Sequence, residues 1–217
     1  IVLLNESQAR NFQTYYAGPP KQTVTVIGSG LPFDLGRILE RNATAHTPEA
    51  EFCLGAASAF CTESDYESLA YALRRLANSG AVLLRIAGDP SANPEWHDAF
   101  LRLTADLGVL EHIEFVGWIR HNEMPSFYAK CHLTVVPSVA DTVGLCGIES
   151  LQVGVPVIAS DSAGLLPEII ERTNRNAGAV TKGDAGAVIP KRSPWALGEA
   201  ATAIFQNQSR LSKDQLP

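Results

Sequence analysis

The feature that most constrains the fold is a repeated alternation between short apolar runs and longer amphipathic stretches. Each run ends near glycine, proline or serine, and in the stretch that follows the apolar residues recur at helical spacing. The predicted strands are 51–55, 82–87, 113–116, 133–136, 155–159 and 187–189. Strands that alternate with helices pair in parallel through right-handed crossovers. The sequence therefore predicts an α/β fold, with five or six strands in a doubly wound parallel sheet.

Capping patterns predict where several helices begin. Ser64, with Glu67 three residues later, matches a capping box and places Ser64 at the N-cap of the first helix of the sheet domain. Asn93–Pro94 and Ser193–Pro194 each combine an N-cap residue with a proline in the first helical turn. Further helices are predicted at 123–130, 147–153, 166–172 and 194–205.

The domain organisation follows from where this alternation starts. Residues 1–30 hold two apolar runs around a helical pattern and then break at 28–32, so we expect them to be the remnant of a preceding domain. Residues 31–50 are polar and are interpreted as a linker, residues 51–206 as the sheet domain and residues 207–217 as a C-terminal tail. Because the chain does not begin with methionine, we expect an excised or processed piece.

The composition excludes several classes of protein. With 17 Lys and Arg against 23 Asp and Glu, the net charge is −6, which argues against non-specific binding of nucleic acid. No apolar run approaches the roughly 20 residues of a transmembrane helix. The apolar start of the chain also lacks the basic flank of a signal peptide. We therefore expect no nucleic-acid partner and no membrane span.

The cysteine pattern indicates a reducing compartment and no metal. The four cysteines, Cys53, Cys61, Cys131 and Cys146, form no C-x-x-C pair, and each lies in or beside an apolar segment. Buried free thiols fit this pattern, whereas a zinc site or a thioredoxin-like motif uses paired cysteines. No histidine spacing marks a base for a catalytic cysteine, and no cluster of aspartate and histidine marks a metal site. We expect a cytoplasmic protein.

The stretch 136–168 carries the clearest chemical signal. A strand ends at Ser138, and a glycine-containing loop leads into a helix near Gly144. Free backbone N–H groups at such a helix start can bind a diphosphate. Asp141 lies before the helix, where its carboxylate can reach a sugar. Glu149 lies inside the helix, where its carboxylate can accept hydrogen bonds from a ribose diol.

In this stretch the chain resembles the C-terminal, donor-binding domain of the retaining glycosyltransferases of family 4, the glycosyl transferases group 1. The matching motif consists of Pro137–Ser138, Asp141, Gly144–Leu145, Glu149, Gly154 and Pro156–Ser160. Other landmarks of the family are present at 86–89, 115–117, 124–128 and 186–190, so the resemblance covers roughly residues 50–206. It implies the two-lobed GT-B fold, with a Rossmann-like C-terminal lobe here and the missing N-terminal lobe as a partner. It also implies a nucleotide-diphosphate sugar as donor substrate, with no cofactor and no metal.

The resemblance assigns roles to individual residues. Glu149 would hold the ribose hydroxyls, and Asp141, at the first acidic position, would contact the transferred sugar as the catalytic residue. Backbone N–H groups near Gly144 and Leu145 would meet the diphosphate, and the loop Gly117–Trp118–Ile119 would border the base. Each side chain also has a structural alternative. Glu149 could be a helix-surface carboxylate, Asp141 a loop cap and Trp118 a packing residue.

The chain departs from the family where the diphosphate would bind. The Arg and Lys that usually neutralise the diphosphate fall on Ala59 and Ser64, whose side chains cannot pair with a phosphate. Losing two charge-assisted contacts costs about 3–6 kcal/mol, or roughly two to four decades of affinity or rate. The first acidic residue is Asp141 rather than Glu, and Leu165 replaces the second glycine of a G-G-x-P-E turn.

Two hypotheses follow from these matches and departures. The first is the donor-binding lobe of a retaining glycosyltransferase, which is inactive alone because the acceptor side lies in the other lobe. The second is a degenerate glycosyltransferase-like domain that serves as a structural or protein-interaction module. Asp141, Gly144 and Glu149 favour the first hypothesis, and Ala59 and Ser64 favour the second.

Overall fold

A computed structural model describes residues 2–3, 25–26, 51–177 and 185–213. Strands β1 (Val2–Leu3) and β2 (Thr25–Val26) pair in parallel, inside the two apolar runs of the first thirty residues. The helical pattern between these strands and the linker at 31–50 lie outside the described residues.

From residue 51 onward the described chain forms a six-stranded sheet in which neighbouring strands are parallel. The strands are β3 (Phe52–Ala57), β4 (Val82–Ala87), β5 (Ile113–Gly117), β6 (Leu133–Val136), β7 (Val157–Ser160) and β8 (Gly186–Ile189). Their order across the sheet is β5–β4–β3–β6–β7–β8. The doubly wound parallel sheet predicted from the alternation is confirmed.

Helices cover both faces of this sheet. They are α1 (Tyr66–Ala77), α2 (Pro94–Asp106), α3 (Met124–Tyr128), α4 (Leu145–Gln152), α5 (Leu166–Ala177) and α6 (Pro194–Lys213). Side chains of a strand point alternately to its two faces. Leu54 of β3 therefore packs in one cluster with Leu69 of α1 and Leu197 of α6, whereas Cys53 packs with Tyr128 of α3. Among the described residues, no helix is long and apolar enough to cross a membrane.

The predicted capping box at the start of α1 is wrong. Asp65, not Ser64, is the N-cap, and its carboxylate accepts a hydrogen bond from the Ser68 amide at 3.2 Å. Ser64 closes a short 3-10 turn, Thr62–Ser64, and its hydroxyl donates to the carbonyl of Ala59 at 2.8 Å. The serine is thus used inside the turn after β3, and the next residue caps the helix.

Other helix boundaries agree more closely with the sequence patterns. Ser193 caps α6, because its hydroxyl accepts from the Ala196 amide at 3.3 Å. Asn93 occupies the N-cap position of α2 without a capping bond from its side chain. Helix α4 begins two residues before the predicted 147, directly after Gly144, and α6 continues past the predicted 205 to Lys213.

The strand order places a topological switch point between β3 and β6. From β3 the chain winds outward to β4 and β5, then crosses back to β6 and winds the other way to β7 and β8. The loops that follow β3 and β6 therefore leave the sheet in opposite directions. Such a divergence opens a crevice at the carboxyl ends of the two strands, where ligands of these sheets bind.

Candidate functional site

A cavity of about 410 Å³ occupies the crevice at this switch point. Its walls come from the ends of β3 and β6, the start of α1, the loop after β6 and the first turn of α4. The lining residues are Ala56, Ala57, Ser58, Ser64, Tyr66, Leu69, Val135, Val136, Pro137, Ser138, Asp141, Thr142, Val143, Leu145 and Cys146. Asp141 is the charged residue among them, and these described lining residues include no lysine and no arginine.

The hydroxyls of Ser58, Ser64 and Tyr66 make their hydrogen bonds within the turn after β3. The Ser64 side chain is buried, and its hydroxyl lies 2.5 Å from that of Ser58 and 3.2 Å from the Cys61 sulfur, besides donating to Ala59. The buried phenol of Tyr66 donates to the carbonyl of Ser58 at 3.1 Å. Of the two positions that carry cations in the resembled family, Ser64 therefore lines the cavity and Ala59 lies exposed beside it. Neither supplies a charge.

The loop before α4 is organised by Asp141. One oxygen of its carboxylate accepts from the amides of Val143 and Gly144, both at 3.0 Å. Gly144 has φ +76°, and a Cβ there would lie 2.6 Å from the carbonyl oxygen of Ala163. The Asp141 side chain thus caps the loop and also borders the cavity, while glycine at 144 allows the helix to start close to the neighbouring loop.

The amides at the start of α4 divide into used and unused donors. The Gly144 N–H is taken by Asp141, whereas the Leu145 N–H donates to no oxygen in the part of the chain that the structure describes. Leu145 lines the cavity and is half exposed. The first amides of a helix have no partner within the helix, so the Leu145 N–H group is a donor for a ligand in the cavity.

Glu149 lies one turn further along α4, on the same side as Leu145. Its oxygen Oε2 accepts from the phenol of Tyr128 at 3.2 Å, and Oε1 lies 3.5 Å from Nδ1 of His121. Its side chain is only 17% exposed. Burial raises the pKa of Tyr128 above its usual value, with Cys146 and Glu149 adding to the effect, so the phenol stays a donor. Glu149 is therefore a fixed, half-buried carboxylate, although it does not line the cavity itself.

The predicted base loop lies beside Glu149. Gly117 has φ +78°, Trp118 is 70% exposed, and Ile119 is half-buried. His121, two residues further on, makes the contact with Glu149. An indole with this exposure is not part of the core, so it is free to contact a ligand.

The structure thus brings the sequence-predicted residues into two groups joined by α4. Ser64, Asp141 and Leu145 border the cavity, and Glu149 lies with the loop 117–121. Sequence reasoning missed several residues of the site: Ser58, Tyr66, Cys146, His121 and Tyr128. The family-like segment 124–128 includes the tyrosine, but no spacing along the chain indicates that its phenol meets a carboxylate 21 residues later.

Cys146, in the wall of the cavity, is one of the four cysteines of the chain. All four cysteines are free. Burial raises the pKa of the Cys146 thiol to about 12, with the nearby Asp141 as a further cause, so this cysteine stays a thiol at neutral pH. Within the described ranges, no three side chains of His, Cys, Asp or Glu cluster as metal ligands do.

Comparisons with known proteins agree on one family and one fold. The family model for glycosyl transferases group 1 matches residues 51–207. D-inositol 3-phosphate glycosyltransferase 1 of Catenulispora acidiphila is 29% identical over 126 residues, which are 58% of this chain and 27% of that protein. The chain therefore spans about a quarter of the length of this relative.

Two solved structures have the same fold at low identity. The sucrose-phosphate synthase of Thermosynechococcus elongatus superimposes with a TM-score of 0.72 and 21% identity, over 95% of this chain and 49% of that one. HepE of Anabaena, solved in complex with UDP, gives a TM-score of 0.69 and 19% identity, over 96% of this chain and 54% of that one. At this identity the likeness concerns the fold.

Proposed function

Since the chain belongs to the family of group 1 glycosyl transferases, we propose that residues 51–206 are the donor-binding lobe of a retaining, family 4 glycosyltransferase with the GT-B fold. The whole protein transfers a sugar from a nucleotide-diphosphate sugar to an acceptor and keeps the anomeric configuration. Residues 1–30 then belong to the end of the N-terminal lobe, and residues 31–50 to the linker. The observation that carries this proposal is the continuous side of α4, which runs from Leu145 at the cavity to the half-buried Glu149.

The donor lies along this side of α4. Glu149 accepts hydrogen bonds from the ribose hydroxyls, and the exposed Trp118 borders the base. The Leu145 N–H group, at the positive end of the helix dipole, meets the diphosphate. Asp141 accepts from hydroxyls of the transferred sugar in the cavity. These contacts hold the diphosphate where negative charge develops as its bond to the sugar breaks.

The first test is thermal unfolding of this chain with UDP, GDP and ADP, free and as nucleotide sugars. UDP leads the panel because HepE, which shares the fold, was solved with UDP. A ligand at about 100 times its Kd adds roughly 2.7 kcal/mol to the free energy of unfolding, which raises the midpoint by several degrees. We expect one nucleotide to raise the midpoint selectively, and Glu149→Ala to abolish that shift.

The matched control for Glu149→Ala is Glu111→Ala. This variant removes an exposed carboxylate at a position distant in the sequence from the residues that line the cavity. The control should keep the nucleotide shift and an unliganded midpoint close to that of the wild type. Glu149→Ala should stay folded with a somewhat lower unliganded midpoint, because it leaves the buried Tyr128 phenol without its acceptor. An unchanged shift in Glu149→Ala would remove the ribose role from this residue. The proposed function would be overturned if no nucleotide of the panel, at millimolar concentration, shifted the unfolding midpoint of this chain or of the full-length protein.

The chain alone should bind a donor without transferring its sugar. The acceptor and part of the catalytic machinery belong to the N-terminal lobe in this proposal, so binding and turnover separate between the two lobes. The same samples provide the measurement: release of nucleotide from the nucleotide sugar stays at background while the midpoint shifts. Turnover by this chain would contradict the assignment of the acceptor side to the other lobe.

A second candidate function is a degenerate domain that keeps the fold without donor chemistry. The observation that favours it is the absence of Lys and Arg among the described cavity-lining residues, with Ala59 and Ser64 in place of the family's cations. A nucleoside diphosphate would then find one backbone donor and a nearby carboxylate, and no opposite charge.

Restoring the cations separates the two candidates. Ala59→Arg with Ser64→Lys should strengthen nucleotide binding by roughly 10²–10⁴-fold if the cavity is otherwise formed. Because Ser64 is buried and hydrogen-bonded inside its turn, Ala59→Arg alone is the milder variant and should give about half of the gain in binding free energy. Thr62→Arg, which adds the same charge at an exposed position of the turn, is the control. Equal gains in Thr62→Arg and Ala59→Arg would contradict a specific diphosphate contact.

A further inference from the structure

We infer that Tyr128 is a positioning residue for nucleotide binding: its phenol fixes the Glu149 carboxylate so that the second carboxylate oxygen faces the ribose. The inference rests on the proposed function, because it takes the donor ribose as the ligand of Glu149. It goes further by naming a residue that touches no substrate. This residue sets how strongly the site distinguishes a ribonucleotide from a deoxyribonucleotide.

The two oxygens of Glu149 lie in different surroundings. Oε2 accepts from the Tyr128 phenol at 3.2 Å, on the side where α3 packs against α4. Oε1 lies 3.5 Å from Nδ1 of His121, whose side chain is 74% exposed. One oxygen is therefore held on the buried side of the carboxylate, and the other is directed to the open side beside the loop 117–121.

Tyr128 is a rigid donor. Its side chain is fully buried, and its ring packs edge-on against Phe127 with ring centres 5.3 Å apart. Its carbonyl accepts from the Cys131 amide at 2.8 Å, which fixes the end of α3. A phenol held at both backbone and ring has little freedom to leave the carboxylate, so the position of Oε2 is set by the fold.

The buried phenol restrains Glu149 more than the histidine does. His121 is exposed, so its contact with Glu149 at 3.5 Å is open to water and screened by salt. A hydrogen bond from a buried donor to a charged acceptor is stronger and is shielded from solvent. A glutamate that is not held samples several rotamers, and ordering them on binding weakens affinity. Tyr128 therefore preorganises the carboxylate for the ribose diol.

The test compares ribonucleotide with deoxyribonucleotide by isothermal titration calorimetry on the full 217-residue chain. The probes are UDP, GDP and ADP, each paired with its 2′-deoxy form. We expect the wild type to bind the matching ribonucleotide about tenfold more tightly than its deoxy form, because the deoxy form leaves one acceptor unpaired. In Tyr128→Phe the ribonucleotide should bind about three- to tenfold more weakly, with a smaller loss for the deoxy form. The ratio then falls towards one.

Two further variants make the result specific. Tyr71→Phe removes a phenol from an exposed position of α1 and should keep the ratio of the wild type. Tyr128→Met also removes the phenol, and its flexible apolar side chain can fill the buried position; it should lower the ratio as Tyr128→Phe does. Should Tyr128→Phe fail to fold, Tyr128→Met decides the question.

The outcomes distinguish this inference from the proposed function. A ratio that falls in Tyr128→Phe and persists in Tyr71→Phe supports the positioning role. A ratio that persists in Tyr128→Phe, or in Tyr128→Met when the first variant is unfolded, overturns the positioning role. Nucleotide binding by the wild type then leaves the proposed function standing. Wild-type protein that binds no nucleotide of the panel overturns both.

Discussion

At the scale of single residues, adjacent positions in the turn after β3 have different tasks. Ser64 turns its hydroxyl inward to Ala59, whereas Asp65 takes a left-handed conformation, φ 39°, and caps α1. The capping-box pattern selects Ser64, with Glu67 three residues later, because the pattern counts residues and carries no information on side-chain direction. The choice between two neighbouring caps is decided by which side chain the fold buries.

Two glycines with nearly the same backbone angle provide a residue-scale prediction. Gly144 and Gly117 have φ +76° and +78°, but a Cβ at 144 meets the Ala163 oxygen at 2.6 Å, while one at 117 meets nothing within 4 Å. Gly117→Ala should cost about 1–2 kcal/mol for the left-handed conformation alone. Gly144→Ala should cost a further ~1–3 kcal/mol for the overlap. Urea unfolding measures the free energy of unfolding of both variants. Equal losses would show that the loop at residue 163 can move away from the added methyl group at no cost.

At the scale of elements, α4 connects the two halves of the proposed site. It is eight residues long, begins at the cavity with Leu145 and carries Glu149 on its second turn. Its N-terminal end is fixed by Asp141 through the Gly144 amide, and its middle by Tyr128 of α3. A short helix held at these two points keeps the Leu145 N–H group and the Glu149 carboxylate at a constant spacing, as the proposed site requires.

The pairing of β4 with β5 gives an element-scale prediction on pH. Arg85 and Glu114 are register partners, and the guanidinium donates to both carboxylate oxygens at 2.6 and 3.1 Å. The hydrogen bond from Arg85 lowers the pKa of Glu114 below its usual value. Because the folded pKa is the lower one, the pair stabilises the fold above the ordinary glutamate pKa of about 4.3. The contribution is lost as the pH falls through the folded value.

Glu114→Gln should therefore lower the free energy of unfolding at pH 7, by about 1 kcal/mol or less since the Glu114 side chain is nearly half exposed. The difference from the wild type should shrink as the pH falls below the ordinary glutamate pKa of about 4.3 and through the lowered pKa of Glu114 in the folded protein. Chemical unfolding at pH 7 and pH 3.5 measures it. Glu111→Gln, an exposed glutamate next to the same strand, should show no such change with pH. A pH-independent difference in Glu114→Gln would argue for lost packing instead of a lost charge pair.

At the scale of the whole molecule, the order of the strands places the cavity. The crevice between β3 and β6 is not created by the particular residues of these strands. It exists because the chain winds away from the two strands in opposite directions. The turn with Ser64 and the loop with Asp141, 77 positions apart in the sequence, thereby come to line one cavity. The bond from the Val139 amide to the Glu63 carbonyl, at 2.8 Å, joins these two loops directly.

Much of the fold could be predicted from the sequence because its signals are local. The runs at 82–87 and 133–136 coincide with β4 and β6. The apolar residues Leu69, Leu73 and Leu76, which recur at helical spacing, lie on the buried side of α1. Boundaries were less accurate where they depend on a single backbone angle, as at Gly144. There a left-handed residue starts α4 earlier than the apolar pattern indicates.

The sequence by itself determined the alternation of strands and helices, the class of the sheet and the motif that resembles a donor site, because periodicity and residue order are properties of the chain. Only the tertiary structure decided which side chains meet. It set Tyr128 against Glu149, and it placed Asp141 on the amides that start α4. It also left the described lining of the cavity without a cation. These are contacts between residues brought together by crossovers and loop packing, and no spacing along a chain encodes the direction in which a side chain points.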